Sequence, residues 1–364
     1  MHASELASEP STHTQGRARE GMRVLLTGHL GYLGTVMAPL LTAAGHEVVG
    51  LDSGLFADCV LGTEPNDPPG HLVDLRDVSA SALSGVDAVI HLAALSNDPL
   101  GSLAPELTYD VNHHASVRLA RLAKDAGVKR FLYASTCSVY GASGDGALVN
   151  EDAPLRPVTP YAESKVRVED DLIALADNDF TPVSLRNATA FGFSPRLRAD
   201  IVLNNLVGHA YLSGEARVLS DGTPWRPLVH ARDIAGAFVA ALTADRDAVH
   251  AKAFNVGTEQ NNLTVREIAT EVVEAVPGAK LVITGEAGPD PRSYRVDFSR
   301  IRAAMPNFEA TWTVKAGAVE LIEAYQNFRL TKHDFDHRFT RLARLSDRRA
   351  ADTLDATLRP LSHD

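Results

Sequence analysis

Three side chains in the middle of the chain could share one proton: the hydroxyl of Thr136, the phenol of Tyr161 and the ammonium of Lys165. Tyr161 and Lys165 are four residues apart, and such positions lie on one face of a helix. A free tyrosine keeps its proton up to about pH 10. A fixed cation beside it favours the phenolate. Thr159 is suited to cap that helix and Pro160 to open it. Tyr161 then falls in the first turn, where the helix dipole favours negative charge. A phenol brought toward neutrality can act as a general base on a sugar or alcohol hydroxyl, and Thr136 could bond the same hydroxyl. Tyr-x-x-x-Lys is also common on solvated helices, so the pair gains weight only from the elements that would position it.

Those elements begin near Met22. Arg23–Thr27 reads as a short apolar strand. A turn with Gly28, Gly31 and Gly34 comes next, then a helix to Ala44, then a strand from His46 to Asp52. Such glycines permit a tight turn and close approach of a pyrophosphate to the helix N-terminus. Tyr32 and Leu33 lie within that turn. Asp52 stands 24 residues after Gly28, the place of an acid that binds the adenosine ribose. It would repel a 2′-phosphate, and no arginine occurs in Ser53–Phe56, so NAD is favoured over NADP. A third strand over His71–Asp74 would bring Asp74 and Leu75 to the adenine edge, although Asp74 could equally be a turn or cap residue. Asp87–Ala94 reads as a buried strand whose end, Leu92-Ala93-Ala94, is small enough for a cofactor to approach. A helix over Thr108–Ala126 precedes a strand over Lys129–Ala134. That strand delivers Thr136 to the carboxyl edge of the sheet, where α/β sites form. A helix over Pro160–Ala176 and a strand over Pro182–Arg186 continue the alternation. The fold class is therefore α/β: a doubly wound Rossmann sheet, parallel with right-handed crossovers, and a smaller C-terminal substrate-binding lobe.

The 364 residues allow about two domains. We divide them into a disordered tail (1–21), an NAD-binding domain (22–186, with room for later strands), a substrate lobe (187–325) and a helical extension (326–364). Apolar content of 45% and charged content of 22% fit a soluble globular protein. A net charge of −11 argues against a nucleic-acid surface. No apolar run is long enough to span a membrane, and residues 1–21 lack the apolar core of a signal peptide. Cys59 and Cys137 form neither a metal spacing nor a disulfide framework, which fits a cytoplasmic location. His333 and His337 are spaced as metal ligands without a third partner, so no metal is expected. On the substrate side, Arg226 and Arg292 could pair with a diphosphate or lie solvated on the surface. Asn204 and Asn205 could line the site or a helix surface. Ser96, Cys137 and Ser138 are counted with them. In the extension, Phe335, Phe339, Leu342 and Leu345 recur at helical spacing. They predict an amphipathic helix docked on its own body or on a second subunit.

Taken together, these motifs resemble the extended short-chain dehydrogenase/reductase family, in its nucleotide-sugar epimerase and dehydratase branch, over residues 22–325. The resemblance rests on Gly28-x-x-Gly31-x-x-Gly34, Asp52, Asp74-Leu75, His91-Leu92-Ala93-Ala94, Ser135–Gly141, Tyr161-x-x-x-Lys165 and Arg226–His230. It implies bound NAD, a nucleotide-diphosphate sugar as substrate, and a homodimer through the helices near 110–126 and 160–176. It implies that Tyr161 removes a sugar hydroxyl proton, that Lys165 also bonds the nicotinamide ribose, and that Thr136 holds the reacting oxygen. Asn112 matches a position near the cofactor and Asn187 one near the substrate phosphates. Two departures narrow the chemistry. The family's 4,6-dehydratases carry Asp and Glu directly after the threonine, where this chain has Cys137 and Ser138. The family's 3,5-epimerases carry a cysteine where this chain has Ser138. The C-terminal arginine and carboxylate pattern is replaced by Pro289–Arg295. The reading is an NAD-dependent epimerase acting at carbon 4 through a keto sugar. The alternatives are a dehydratase, dehydrogenase or reductase on the same scaffold, or a non-catalytic NAD-binding protein.

Overall fold

The computed structural model describes residues 21–96, 104–141, 148–286 and 293–361. The expected tail, apart from Gly21, and Arg292 lie outside them. Seven strands form one central sheet, in the order Lys252–Val256, Thr181–Asn187, Arg130–Thr136, Ala88–His91, Arg23–Thr27, Glu47–Asp52 and Gly70–Leu72. Every pairing is parallel. Parallel strands covered on both faces read as continuous apolar runs. Val24, Leu25 and Leu26 show it in the central strand, each fully buried.

The strand order reverses at Arg23–Thr27, which pairs with Glu47–Asp52 on one side and Ala88–His91 on the other. In such sheets a crevice opens at the carboxyl ends beside this switch. The glycine turn and the Leu92–Ala94 segment meet there. Thr27 Oγ1 bonds His91 Nδ1 at 2.7 Å and accepts from the Ala93 amide at 3.2 Å. His91 Nε2 bonds Ser116 Oγ at 2.7 Å. Burial pushes the His91 imidazole down to about 3, so this brace is neutral. Two strands further on, Thr136 and Asn187 are register partners. Their side chains therefore begin at one level of the sheet edge.

The expected elements recur with two differences, and the sheet takes one later strand. The third strand is confined to Gly70–Leu72, an exposed edge, and Asp74 instead caps a short turn by accepting from the Arg76 amide at 2.9 Å. The helix expected over Thr108–Ala126 is one helical run from Pro105 to Asp125, widened into a π turn at Asp110–His114. The seventh strand, Lys252–Val256, comes from the later part of the chain and pairs with Thr181–Asn187.

A second core gathers Phe191, Leu206, Leu228, Ile268, Leu321 and Tyr325 around two smaller sheets and the helices Val202–Ser213, Val265–Ala275 and Val314–Asn327. The C-terminal extension joins it. Phe335 and Phe339 are buried in this core, and Leu345 packs with Leu354, Leu358 and Leu95. The helix Arg341–Ala350 thus docks on its own body, one of the two arrangements expected. Arginines fasten it. Arg338 donates to the Asp58 carbonyl at 2.7 Å, Arg348 to the Leu55 carbonyl at 2.8 Å, and Arg344 pairs with Asp58.

Candidate active site

The glycine turn is built for close approach. Gly28 has a φ of +76°, and a Cβ on Gly34 would stand 2.2 Å from the Gly28 carbonyl oxygen. The helix Tyr32–Ala43 starts from Gly31 with no side chain capping it. Its first amides therefore remain as donors for a phosphate. Asp52 accepts from the Leu30 amide at 3.0 Å and the Gly54 amide at 2.8 Å. Burial pushes its carboxyl up, against the pull of those bonds. Each oxygen keeps acceptor capacity for a ribose hydroxyl. The turn, the acid and the small residues beyond the fourth strand fit a dinucleotide.

The helix Pro160–Leu175 is capped as expected, by Thr159 Oγ1 accepting from the Ala162 amide at 3.1 Å. Its buried face carries Lys165 and Glu169, two groups that are seldom buried unless paired. Lys165 Nζ donates to the Ala134 carbonyl at 2.7 Å. It lies 4.7 Å from the centre of the Tyr133 ring and 5.7 Å from that of Tyr161. Burial pulls the ammonium down to about 7, and Glu169 opposes that. Thr136 Oγ1 accepts from the Ser138 amide at 3.1 Å and lies 3.2 Å from Ser138 Oγ. Beneath this group, Glu169 and Arg186 form a buried pair at 2.6 Å. Ser135 donates to Glu169, and Arg186 reaches the Tyr140 hydroxyl at 3.1 Å. Burial works against the Arg186 charge, but the Glu169 bonds outweigh it and hold the guanidinium above its ordinary value.

One cavity of about 1190 Å³ runs along the carboxyl edge. Gly28, Gly31, Tyr32, Leu33, Gly34 and Asp52 form one part of its wall. Asp74, Leu75, Leu92, Ala93 and Ala94 continue that wall. Thr136, Tyr161 and Lys165 line it too, as do Ser96, Ser138, Asn187 and Arg226. Asn187 Nδ2 donates to the Ser135 carbonyl at 3.3 Å, while its Oδ1 is buried with no partner among the described residues. The Asp74 carboxylate is already held by Arg76 at 2.7 Å.

Three expected site residues do not line the cavity. Asn112 is buried against the backbone of Leu95, accepting its amide at 2.7 Å and donating to its carbonyl at 3.1 Å. It braces the wall rather than facing the cavity. Asn204 does the same for Gly192, at 3.0 Å and 3.2 Å, while its neighbour Asn205 lines the cavity. Cys137 is buried with Sγ 3.1 Å from the Arg186 carbonyl, and burial pushes its thiol up, away from thiolate chemistry. Conversely, Arg198, Asp200 and Arg341 line the cavity although no motif marks them in the sequence. Arg198 pairs with Asp200 at 3.0 Å and donates to Ser96 Oγ at 3.0 Å. Its place in Ser194–Asp200, a segment with two arginines and an acid after the strand Thr189–Phe191, was the available signal. Among the described residues no group of His, Cys, Asp and Glu could hold a metal, and no helix is long and apolar enough to cross a membrane.

The turn, the acid and the Thr136–Tyr161–Lys165 constellation define an NAD-binding enzyme of the epimerase/dehydratase type. The profile of the NAD dependent epimerase/dehydratase family matches residues 24–257, and the chain belongs to that family. It is 30% identical over 319 residues to the UDP-glucose 4-epimerase of Mycolicibacterium smegmatis, across 84% of this chain and 99% of that protein. The structure is similar to that of MoeE5 in complex with UDP-glucose and NAD, with a TM-score of 0.72 and 27% identity over 85% of this chain and all of that one. It shares its fold with TunA, an NAD dependent NDP-hexosamine 5,6-dehydratase, at a TM-score of 0.75 and 24% identity over 84% of this chain and 98% of that one.

Proposed function

We propose that this enzyme is a nucleotide-sugar 4-epimerase. The observation that carries the reading is the state of the two residues after the catalytic threonine. Cys137 is buried with a thiol pushed up, and Ser138 is a neutral hydroxyl bonded to Thr136. Neither is equipped to remove a carbon-bound proton, which elimination of water requires. The remaining groups suit oxidation and reduction at one carbon.

NAD, when bound, would supply reversible hydride transfer. The first amides after Gly31 would hold its pyrophosphate, and Asp52 would hold the adenosine ribose. Tyr161 takes the proton from the sugar hydroxyl, and Thr136 orients that oxygen. Lys165 and Tyr161 act as a pair: a charged Lys165 favours the phenolate, and the phenolate in turn favours a charged Lys165. Ser96, Ser138, Asn187 and Arg226 face the sugar and its diphosphate, with Arg292 as a further candidate. The same reading includes a homodimer in the cytoplasm, which light scattering of the purified chain tests for its assembly state.

The test is product analysis by mass spectrometry and NMR, after incubation with UDP-, GDP-, dTDP- and CDP-sugars in deuterated water. An isomer of unchanged mass without deuterium is expected. Loss of water, or deuterium at carbon 3 or 5, would replace the proposal with dehydration or enolisation. Loss of two hydrogens with release of NADH would make the protein a dehydrogenase.

A further inference from the structure

Five arginines border the cavity: Arg76, Arg198, Arg217, Arg226 and Arg341. Arg76 is engaged by Asp74 and Asp110, and Arg198 by Asp200 and Ser96. Arg217 is half exposed and reaches Glu286 at 3.8 Å. Arg226 donates to the Trp225 carbonyl at 2.8 Å. Arg341 differs from them. It is 5% exposed, yet Nη1 and Nη2 are both buried with no hydrogen-bond partner among the described residues. Its guanidinium lies 4.4 Å from the centre of the Phe56 ring, and its one polar side-chain contact is with the Cys59 thiol, a weak partner that leaves Nη1 and Nη2 without a hydrogen bond of ordinary geometry among the described residues. Burial pulls it down to about 10, so it remains charged at neutral pH. A buried cation with unspent donors is costly unless something satisfies it. A planar fork of donors matches phosphate oxygens.

Its position indicates what that partner is. Arg341 begins the docked C-terminal helix, and its neighbour Leu342 also lines the cavity. Leu55 and Phe56, from the loop beyond Asp52, pack in the same cluster as Leu342 and Leu358. The extension thus walls the dinucleotide end. We propose that Arg341 is an anion-binding residue of this cavity, supplying a buried charged contact to a diphosphate. The diphosphate belongs to the dinucleotide or to the nucleotide sugar. The inference rests on the functional reading above, since it takes both ligands from it.

The experiment is calorimetric titration of the full chain, freed of bound nucleotide, with ADP, adenosine, UDP and uridine. The proteins are wild type, Arg341→Gln and Arg341→Lys. Arg341→Gln is expected to weaken a diphosphate roughly 10- to 100-fold, the scale of a charged hydrogen-bond pair. The matching nucleoside keeps its affinity, and Arg341→Lys recovers part of the loss. Loss for ADP alone assigns the residue to the dinucleotide, and loss for UDP alone to the nucleotide sugar. Without ligand, Arg341→Gln is expected to melt no lower than wild type, because it removes an unsatisfied charge. Unchanged diphosphate affinity, equal weakening of the nucleosides, or a ligand-free variant that unfolds would each overturn the inference. The last would make the guanidinium a structural group. If the wild-type chain binds neither ADP nor UDP, the functional reading fails with it. If it binds them and the variant equals it, only this inference fails.

Discussion

Lys165 offers a test of the site that needs no substrate. Burial takes its ammonium from an ordinary 10.5 to about 7. The folded protein therefore disfavours the charged form, while the unfolded chain does not. Below pH 7 both states are protonated and the full penalty applies. As pH rises from about 7 to 10.5, the folded state has released its proton and the unfolded state still holds one. The unfolded state binds more protons in that window, so stability rises with pH. The slope is at most about 1.4 kcal/mol per pH unit. Expressed across the whole interval it amounts to about 5 kcal/mol, an upper bound because the group borders a cavity that water can enter. Lys165→Met keeps the length and apolar stem and removes the titration. Urea unfolding of the ligand-free proteins at pH 6, 7, 8 and 9 reads the difference, and groups common to both cancel. The variant is expected to be the more stable at pH 6, with wild type gaining on it steadily above pH 7. Parallel curves from pH 6 to 9 would refute a buried, near-neutral Lys165 and its coupling to Tyr161.

Tyr161→Phe is expected to lower turnover by at least ~10²-fold, the scale of a general base. NAD binding, followed by calorimetry, stays near wild type, and unchanged turnover would remove Tyr161 from its role. Glu169→Leu leaves Arg186 buried without its partner and is expected to cost about 3–5 kcal/mol in denaturant unfolding. A cost under about 1 kcal/mol would mean that the Tyr140 and Glu151 contacts suffice. Gly34→Ala places a methyl against the Gly28 carbonyl, a backbone atom that cannot swing aside. It is expected to cost about 1–3 kcal/mol of stability and to weaken NAD, which titration of the variant reads directly.

The Rossmann half was readable because its signals are local. Strand, glycine turn, helix and acid succeed one another within Arg23–Asp52, and Thr159, Pro160, Tyr161 and Lys165 sit within seven residues. What escaped depends on distant contacts. Asn112 and Asn204 look like polar site residues, yet each spends its amide on backbone groups and does not line the cavity. An asparagine reads identically in either role. Arg341 looks like one charge among many in a basic helix, and only the docking of that helix brings it onto Phe56. Strand Lys252–Val256 lacks a local partner, since it pairs with residues about seventy positions earlier. Asp74 has two local readings in the sequence, and they are compatible: it caps the turn through the Arg76 amide and its residue still lines the cavity.

The fastening of the extension bears on how long a dinucleotide stays. Arg338 and Arg344 hold Asp58, while Arg359 pairs with Asp77 and the Thr357 carbonyl accepts from Arg76 at 2.9 Å. In the proposed position along Asp52 and Asp74, a dinucleotide would lie against the C-terminal extension, and its release would be expected to disturb several of these contacts. A dehydrogenase exchanges its cofactor at every cycle, so slow release would throttle it. An enzyme that returns its hydride within the cycle loses nothing by slow exchange and keeps the reduced carrier from escaping with the keto sugar still bound. These ion pairs are partly exposed and screened by salt, so residence time is expected to shorten with ionic strength while the chemistry beneath does not change.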